Sequence, residues 1–144
     1  MSISEIQDQI IEDFSIFDDW MDRYNFLIEL GSELPGIDQK FKTDEYLING
    51  CQSKVWLNAE YENGIISYKA DSDAIIVKGI VALLVKVLNN QSAEEVMNTD
   101  LYFIDKIGLK ENLSPTRSNG LVSMVKKMKL YAMAYYAKHK EDKD

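Results

Sequence analysis

The sequence predicts an α+β domain in which a three-stranded antiparallel sheet packs against helices. Three observations carry that expectation. Apolar residues recur at i, i+3, i+4, i+7 spacing over Phe17–Ile28 and again after Leu121, the mark of amphipathic helices. Between Lys54 and Ala70 the pattern alternates with period two and is punctuated by Asn-Gly pairs. The run from Ala74 to Leu88 is apolar nearly all round, as a buried central helix would be. With 144 residues, 46% of them hydrophobic and 10% aromatic, the chain is expected to form one domain, 1–144, with a real core.

The elements follow in order. Ser2 and Glu5 have capping-box spacing and open a first helix of about three turns, to Phe14. Ser15 is a candidate cap for the next helix, whose stripe is Phe17, Trp20, Met21, Tyr24, Leu27 and Ile28 and whose end is set by Gly31 and Pro35. Such a stripe reads as core. Tyr46–Ile48, Lys54–Tyr61 and Ile66–Ala70 then read as a meander, with Asn49-Gly50 and Asn63-Gly64 as its turns and Cys51 at the first of them. Asp71-Ser72-Asp73 offers N-cap candidates for the central helix, which Asn89-Asn90-Gln91 breaks. Ser92 and Glu95 open a short helix, Asp100–Ile107 form one or two further turns stopped by Gly108, and Ser114-Pro115 starts a long last helix reaching about Lys138. Lys140–Asp144 read as a polar tail that frays.

Charge is unevenly spread. The chain carries a net −8, divided as −10 over residues 1–72 and +2 over residues 73–144. Asn112–Lys140 holds six bases and no acid. The plain reading of that stretch is a solvated helix face, the sharper one a docking face for an acidic partner. Nucleic acid is not an expected partner of so acidic a chain, which lacks a stacking-aromatic motif beside its lysines. No secretory signal or transit pattern opens the sequence, and Gly79–Val85, the longest apolar run near the middle, is too short to span a bilayer. A cytoplasmic, reducing compartment and no membrane association are therefore expected. Monomer and homodimer are both compatible with the sequence.

One cysteine and one histidine exclude a disulfide framework and Cys/His metal clusters. A site built only from carboxylates stays open, and no cofactor is expected. A lone cysteine is most often a small buried hydrophobe. Cys51, however, follows Asn49-Gly50 at a turn, where packing alone would not place it. Hydrolase chemistry needs a general base, and His139 lies near the C-terminal end. Dithiol exchange needs a second thiol. Two uses of a single thiol remain: accepting a sulfur from another protein, or sensing oxidants. A further reading makes the chain a noncatalytic module that activates a partner allosterically, with Cys51 dispensable.

The run Gly50-Cys51-Gln52-Ser53-Lys54-Val55-Trp56-Leu57 resembles the signature of the SufE family of sulfur acceptors. Three further segments agree in order and spacing: Trp20–Tyr24 with Leu30-Gly31 and Leu34-Pro35, Asp71–Ala74 with Ile76–Gly79, and Leu113–Arg117 with Gly120-Leu121. The similarity covers roughly Trp20 to Lys129. It departs at Ala70, where relatives often carry glycine. The resemblance implies an α+β fold like that of NifU-type scaffolds, a curved three-stranded antiparallel sheet against helices. It implies a carrier, not a free-standing enzyme, that takes persulfide sulfur onto Cys51 from a pyridoxal-phosphate cysteine desulfurase of the SufS or CsdA type. It also implies stimulation of that desulfurase and delivery of sulfur toward iron–sulfur cluster assembly on a SufBCD-type scaffold. Gly50, Gln52, Ser53, Asp73 and Arg117 then fall at positions linked to loop support and partner binding. The resemblance further suggests a thiol tucked under its loop over apolar side chains, the neighbours in sequence being Ile48, Val55 and Trp56.

Overall fold

The computed structural model describes the backbone of residues 1–143 and the side chains of residues 1–140. Helix α1 (Ile3–Ser15) begins with the expected reciprocal cap: the Ser2 hydroxyl accepts the Glu5 amide and the Glu5 carboxylate accepts the Ser2 amide, both at 3.1 Å. Its inner face is Ile3, Ile10 and Phe14, with Gln7 buried among them. The Gln7 amide donates to the Asp100 carbonyl and its oxygen accepts the Phe103 amide, so a polar side chain ties α1 to the chain 93 residues away.

Helix α2 (Trp20–Ser32) is capped by Asp19, whose carboxylate accepts the Met21 amide at 2.8 Å. The expected cap, Ser15, stays inside α1 and donates to the Glu12 carbonyl. The reason is local: Ile16 is still in helical conformation, so the break falls at residues 17–19 and only Asp19 reaches the first free amides. The stripe of α2 is wider than its buried face. Leu27 is fully buried, but Met21 and Ile28 are exposed, because α2 lies on the surface and packs by one edge.

Strands β1 (Val55–Glu62) and β2 (Ile65–Ser72) pair antiparallel, from Val55 opposite Ser72 to Glu62 opposite Ile65. Asn63 and Gly64, at φ +53° and +83°, supply the two left-handed residues that a two-residue hairpin of matching twist needs. Alternation holds: Val55, Leu57 and Ala59 on one strand and Ile66, Tyr68 and Ala70 on the other enter the core. The third strand is not Tyr46–Ile48. A 3-10 turn occupies Asp44–Tyr46, and Leu47 makes only a single bridge to Trp56. The third strand is instead β3 (Gln91–Ser92), on the free edge of β2, giving an open sheet in the order β1-β2-β3. Asn90, at φ +58°, turns the chain back onto that edge.

Between β2 and β3 runs α3 (Ile75–Leu88), with Val77, Ile80, Val81, Leu83, Leu84, Val87 and Leu88 buried. It crosses α2 at two glycines. A Cβ on Gly79 would overlap the Leu27 carbonyl, and one on Gly31 would stand 2.8 Å from the Gly79 amide nitrogen. Ala74 is the N-cap of α3 and makes no side-chain cap, so the expected capping role of Asp73 is not realised. Helix α4 (Ala93–Asn98) starts at Ser92, whose hydroxyl accepts the Glu95 amide. The turn α5 (Phe103–Lys106) is followed by Gly108 at φ +71°.

Helix α6 (Pro115–Lys143) opens with Pro115 in its first turn and Ser114 accepting the Arg117 amide. Leu121, Met124, Met128 and Ala132 face the core. Two tyrosines bolt α6 to the sheet: Tyr68 donates to the Met128 carbonyl at 2.6 Å, and Tyr135 to the Ala59 carbonyl at 2.9 Å. The helix passes the expected end near Lys138 and reaches Lys143; of the expected frayed tail, Asp144 lies outside the described residues. Among the described residues no helix is long and apolar enough to cross a membrane.

Candidate functional site

The loop that carries Cys51 is pinned at both ends. On one side the Ile48 amide donates to the Val55 carbonyl at 2.9 Å. On the other, Lys54 is held by three bonds from the end of β2: its amide donates to the Asp73 carboxylate at 3.0 Å, and its carbonyl accepts the Ser72 hydroxyl at 2.9 Å and the Asp73 amide at 3.2 Å. Asp73 is thus drawn away from the start of α3 by the open amide of Lys54. Among the described residues, the backbone of residues 49–53 makes no hydrogen bond to the sheet or to α6. Gly50 is favoured by its φ of +92°, and a Cβ there would stand 2.5 Å from the Ser123 hydroxyl on α6, which would have to turn away.

The loop lays Cys51 against the first turns of α6. Its S–H points at the Gly120 carbonyl, 3.7 Å away, and a Cβ on Gly120 would touch the sulfur at 3.4 Å. A pocket of about 80 Å³ lies beside the thiol. Val77, Ile80 and Met124 supply its apolar wall, while Gln52, Ser53, Thr116 and Arg117 stand around it. Cys51 is half-buried, and that burial pushes its thiol pKa up. Arg117 is exposed on the first turn of α6. His139 lies 19 residues beyond Gly120 on the same helix, roughly 28 Å along its axis. It packs edge-on against Tyr61 at 5.5 Å, not near the thiol.

The structure therefore brings Cys51, Gln52, Ser53 and Arg117 to one pocket, places Gly50 behind it against Ser123, and puts Asp73 at the loop's far pin. The apolar wall differs from the expected one. Val77, Ile80 and Met124 line the pocket, while Ile48 and Val55 belong to the core and Trp56 lies under the Lys42 ammonium at 5.5 Å. Met124 belongs to the apolar stripe of the last helix, but its relation to Cys51, like that of Ser123, exists only once α6 is docked. Gly120 stands beside Leu121 in the segment that resembles the family's last helix.

Asp71, a cap candidate by its place before α3, has a different role in the fold. It is buried, with Lys42 at 3.0 Å, Lys78 at 3.3 Å and the Ser72 amide at 2.8 Å. Burial works against its charge, but the hydrogen bonds from Lys42, the Ser72 amide and Lys78 outweigh it and hold the carboxyl below the usual aspartate range. The cluster joins the segment before the loop, the end of β2 and the start of α3, directly behind the residues that pin Lys54.

Among the described residues, no group of three or more histidine, cysteine or carboxylate side chains is placed to hold a metal ion. What the geometry offers is one thiol on a loop fixed at its ends, half-sheltered, with Arg117 lining the same pocket.

Known proteins match this chain along most of its length. A SufE-like protein of Rhizobium etli is 47% identical over 127 residues, 85% of this chain and 86% of its own. One of Rhizobium meliloti is 41% identical over 127 residues, 85% of this chain and 91% of its own. SufE-like protein 1, chloroplastic/mitochondrial, of Arabidopsis thaliana is 39% identical over 121 residues, 83% of this chain and 33% of that longer protein. The solution structure of a hypothetical protein from Thermus thermophilus superposes with a TM-score of 0.75, covering 92% of this chain and 96% of its own, at 22% identity. At that identity it speaks for the fold. The pattern of the family described as "SufE: Fe-S metabolism associated domain" matches residues 8–132, so the chain belongs to the SufE family, associated with Fe–S metabolism.

Proposed function

We propose that the chain is a sulfur acceptor and carrier in iron–sulfur cluster assembly. It takes sulfur onto Cys51 from the persulfide of a cysteine desulfurase of the SufS or CsdA type, stimulates that enzyme by clearing its active site, and passes the sulfur to an assembly scaffold of the SufBCD kind. The observation that carries the reading is the single thiol on a pinned loop beside a small pocket with one apolar wall and a polar, cationic rim, with neither a second thiol nor a histidine beside it.

The chemistry balances without an oxidant. The Cys51 thiolate attacks the outer sulfur of the donor persulfide, the donor's S–S bond breaks, and the donor cysteine leaves as thiolate. Cys51 then holds the persulfide, and the number of S–S bonds is unchanged. With no second cysteine, an intramolecular disulfide cannot expel the sulfur. The pocket of about 80 Å³ exceeds the roughly 10–15 Å³ a water molecule needs, so one more sulfur fits beside the thiol, half out of bulk solvent. Arg117 supplies positive charge near the developing thiolate or the docked partner, and Gln52 and Ser53 border the approach. The pins at Ile48 and Lys54 let residues 49–53 swing toward a partner's active site without disturbing the sheet.

Stimulation of a purified cysteine desulfurase by the Cys51→Ser chain separates this reading from allosteric activation. The carrier mechanism predicts that the serine chain still binds the desulfurase but loses most of the stimulation. Full stimulation by the serine chain would make Cys51 dispensable and sink the mechanism.

A further inference from the structure

The outer face of α6 carries a line of apolar side chains where a solvent-covered helix is mostly polar. Val122, Leu130 and Met133 are 51%, 47% and 51% exposed. With Lys126 they form one line along about 16 Å of helix, on the side opposite Leu121, Met124 and Met128. A hollow flanks this ridge on each side. One, of about 340 Å³, lies toward the segment before Cys51, with Leu47, Ile48 and Leu130 as apolar lining and Lys127 at its edge. The other, of about 300 Å³, faces α5, with Leu101, Ile104 and Val125 as its lining and Asp100, Asp105, Lys110 and Lys129 around it. Lys126 borders both. Six bases and no acid occupy Asn112–Lys140 in a chain of net charge −8. Among the described residues, neither Lys126 nor Lys127 is paired with a carboxylate, whereas Lys129 is spent on the Thr99 carbonyl at 2.6 Å.

We propose that this face of α6 is a second docking surface, built for an amphipathic helix of a partner protein. The helix's apolar anchors enter the hollows beside Val122 and Leu130, and its flanking carboxylates meet Lys126 and Lys127. Paired hollows along a helical ridge suit side-chain anchors at helical spacing. The unpaired lysines select an acidic partner and steer its approach. A flat anionic membrane would leave both hollows unfilled. The surface is continuous with the Cys51 loop yet separate from its pocket: the first hollow ends at Asn49 and Ser123, and Ser123 faces Gly50, while the thiol opens toward Thr116, Arg117 and Gly120. The docked helix therefore lies beside the loop, on the side away from the thiol's opening. This surface does not depend on the sulfur chemistry of Cys51.

The test is an NMR titration of the isotope-labelled full chain with a synthetic helical peptide carrying leucines at i, i+4 and i+7 and glutamates between them. The same peptide with lysine for glutamate is the control. Saturable shifts are expected at Leu47, Ile104, Val122, Leu130 and Met133, with Val77 and Ile80 unmoved. The exposed pair Lys126→Glu and Lys127→Glu should weaken binding at least tenfold, and Leu130→Ser should weaken it with the spectrum of the core unchanged. Four results would each overturn the proposal: no saturable shift at millimolar peptide, equal binding of the lysine peptide, concentration-dependent shifts at the same residues without peptide (a second copy as occupant), or tighter binding to phosphatidylserine vesicles than to the peptide.

Discussion

Replacing Asp73 with alanine removes one of three bonds that pin the Cys51 loop at Lys54 and leaves the other two, the Ser72 hydroxyl and the residue-73 amide on the Lys54 carbonyl. A hydrogen bond to a charged group contributes about 1.5–3 kcal/mol. Asp73 is exposed, so solvent screening brings the expected loss to about 1–1.5 kcal/mol. If that bond acts on the closed loop alone, opening becomes about five- to tenfold more favourable. The assay is alkylation of Cys51 by iodoacetamide under native conditions, divided by the rate for the same chain unfolded, which cancels intrinsic thiol reactivity. Native alkylation should rise about five- to tenfold, hydrogen exchange at the Lys54 amide should rise at least as much because its acceptor is gone, and the melting temperature should move little. Asp73→Asn keeps the acceptor oxygen and should fall between. Faster exchange at Lys54 with unchanged alkylation would refute the idea that this pin restrains the thiol. A large loss of global stability would make Asp73 a residue of the fold and not of the loop.

Three further outcomes follow from the same structure. Gly79→Ala drives a Cβ into the Leu27 carbonyl where α2 and α3 cross, and should cost about 3 kcal/mol, read as a melting temperature lower by roughly 10 °C. The thiol pKa of Cys51 is raised by burial, so the pH profile of its native alkylation should have its midpoint above that of the unfolded chain. The stability that goes with it is complete below the unfolded thiol pKa and is lost as pH rises through the native one. Asp71 has the opposite sign: its depressed pKa stabilises the fold above the ordinary aspartate value of about 3.9, and that contribution disappears as pH falls through the native value. Asp71→Asn should therefore flatten the acid limb of a stability-against-pH curve and cost about 1–3 kcal/mol at pH 7, less than a fully buried pair because both lysines remain partly exposed.

Local chemistry made much of this molecule legible in its sequence. The Ser2–Glu5 cap, the Asn63-Gly64 hairpin, the proline start of α6 and the apolar helix α3 each depend on neighbours within a few residues, and each stands where the sequence pattern put it. The misses share a cause. The third strand comes from Gln91–Ser92, two residues whose pairing exists only because α3 returns the chain to the edge of β2. Asp73 sits beside a helix start, yet binds an amide 19 residues earlier. Asp71, with its lysines from two other segments, looks like any polar residue before a helix until the tertiary structure closes over it. The site divides along the same line. Cys51, Gln52 and Ser53 are contiguous and were readable as a unit, whereas the apolar wall from Val77, Ile80 and Met124 required two helices to be docked first.

Mass spectrometry of the chain after incubation with a cysteine desulfurase and cysteine tests the central claim most directly. The account predicts a gain of one sulfur located on Cys51, removed by a thiol reductant and absent from the Cys51→Ser chain. A chain that stays unmodified while the desulfurase turns over at the stimulated rate would contradict it.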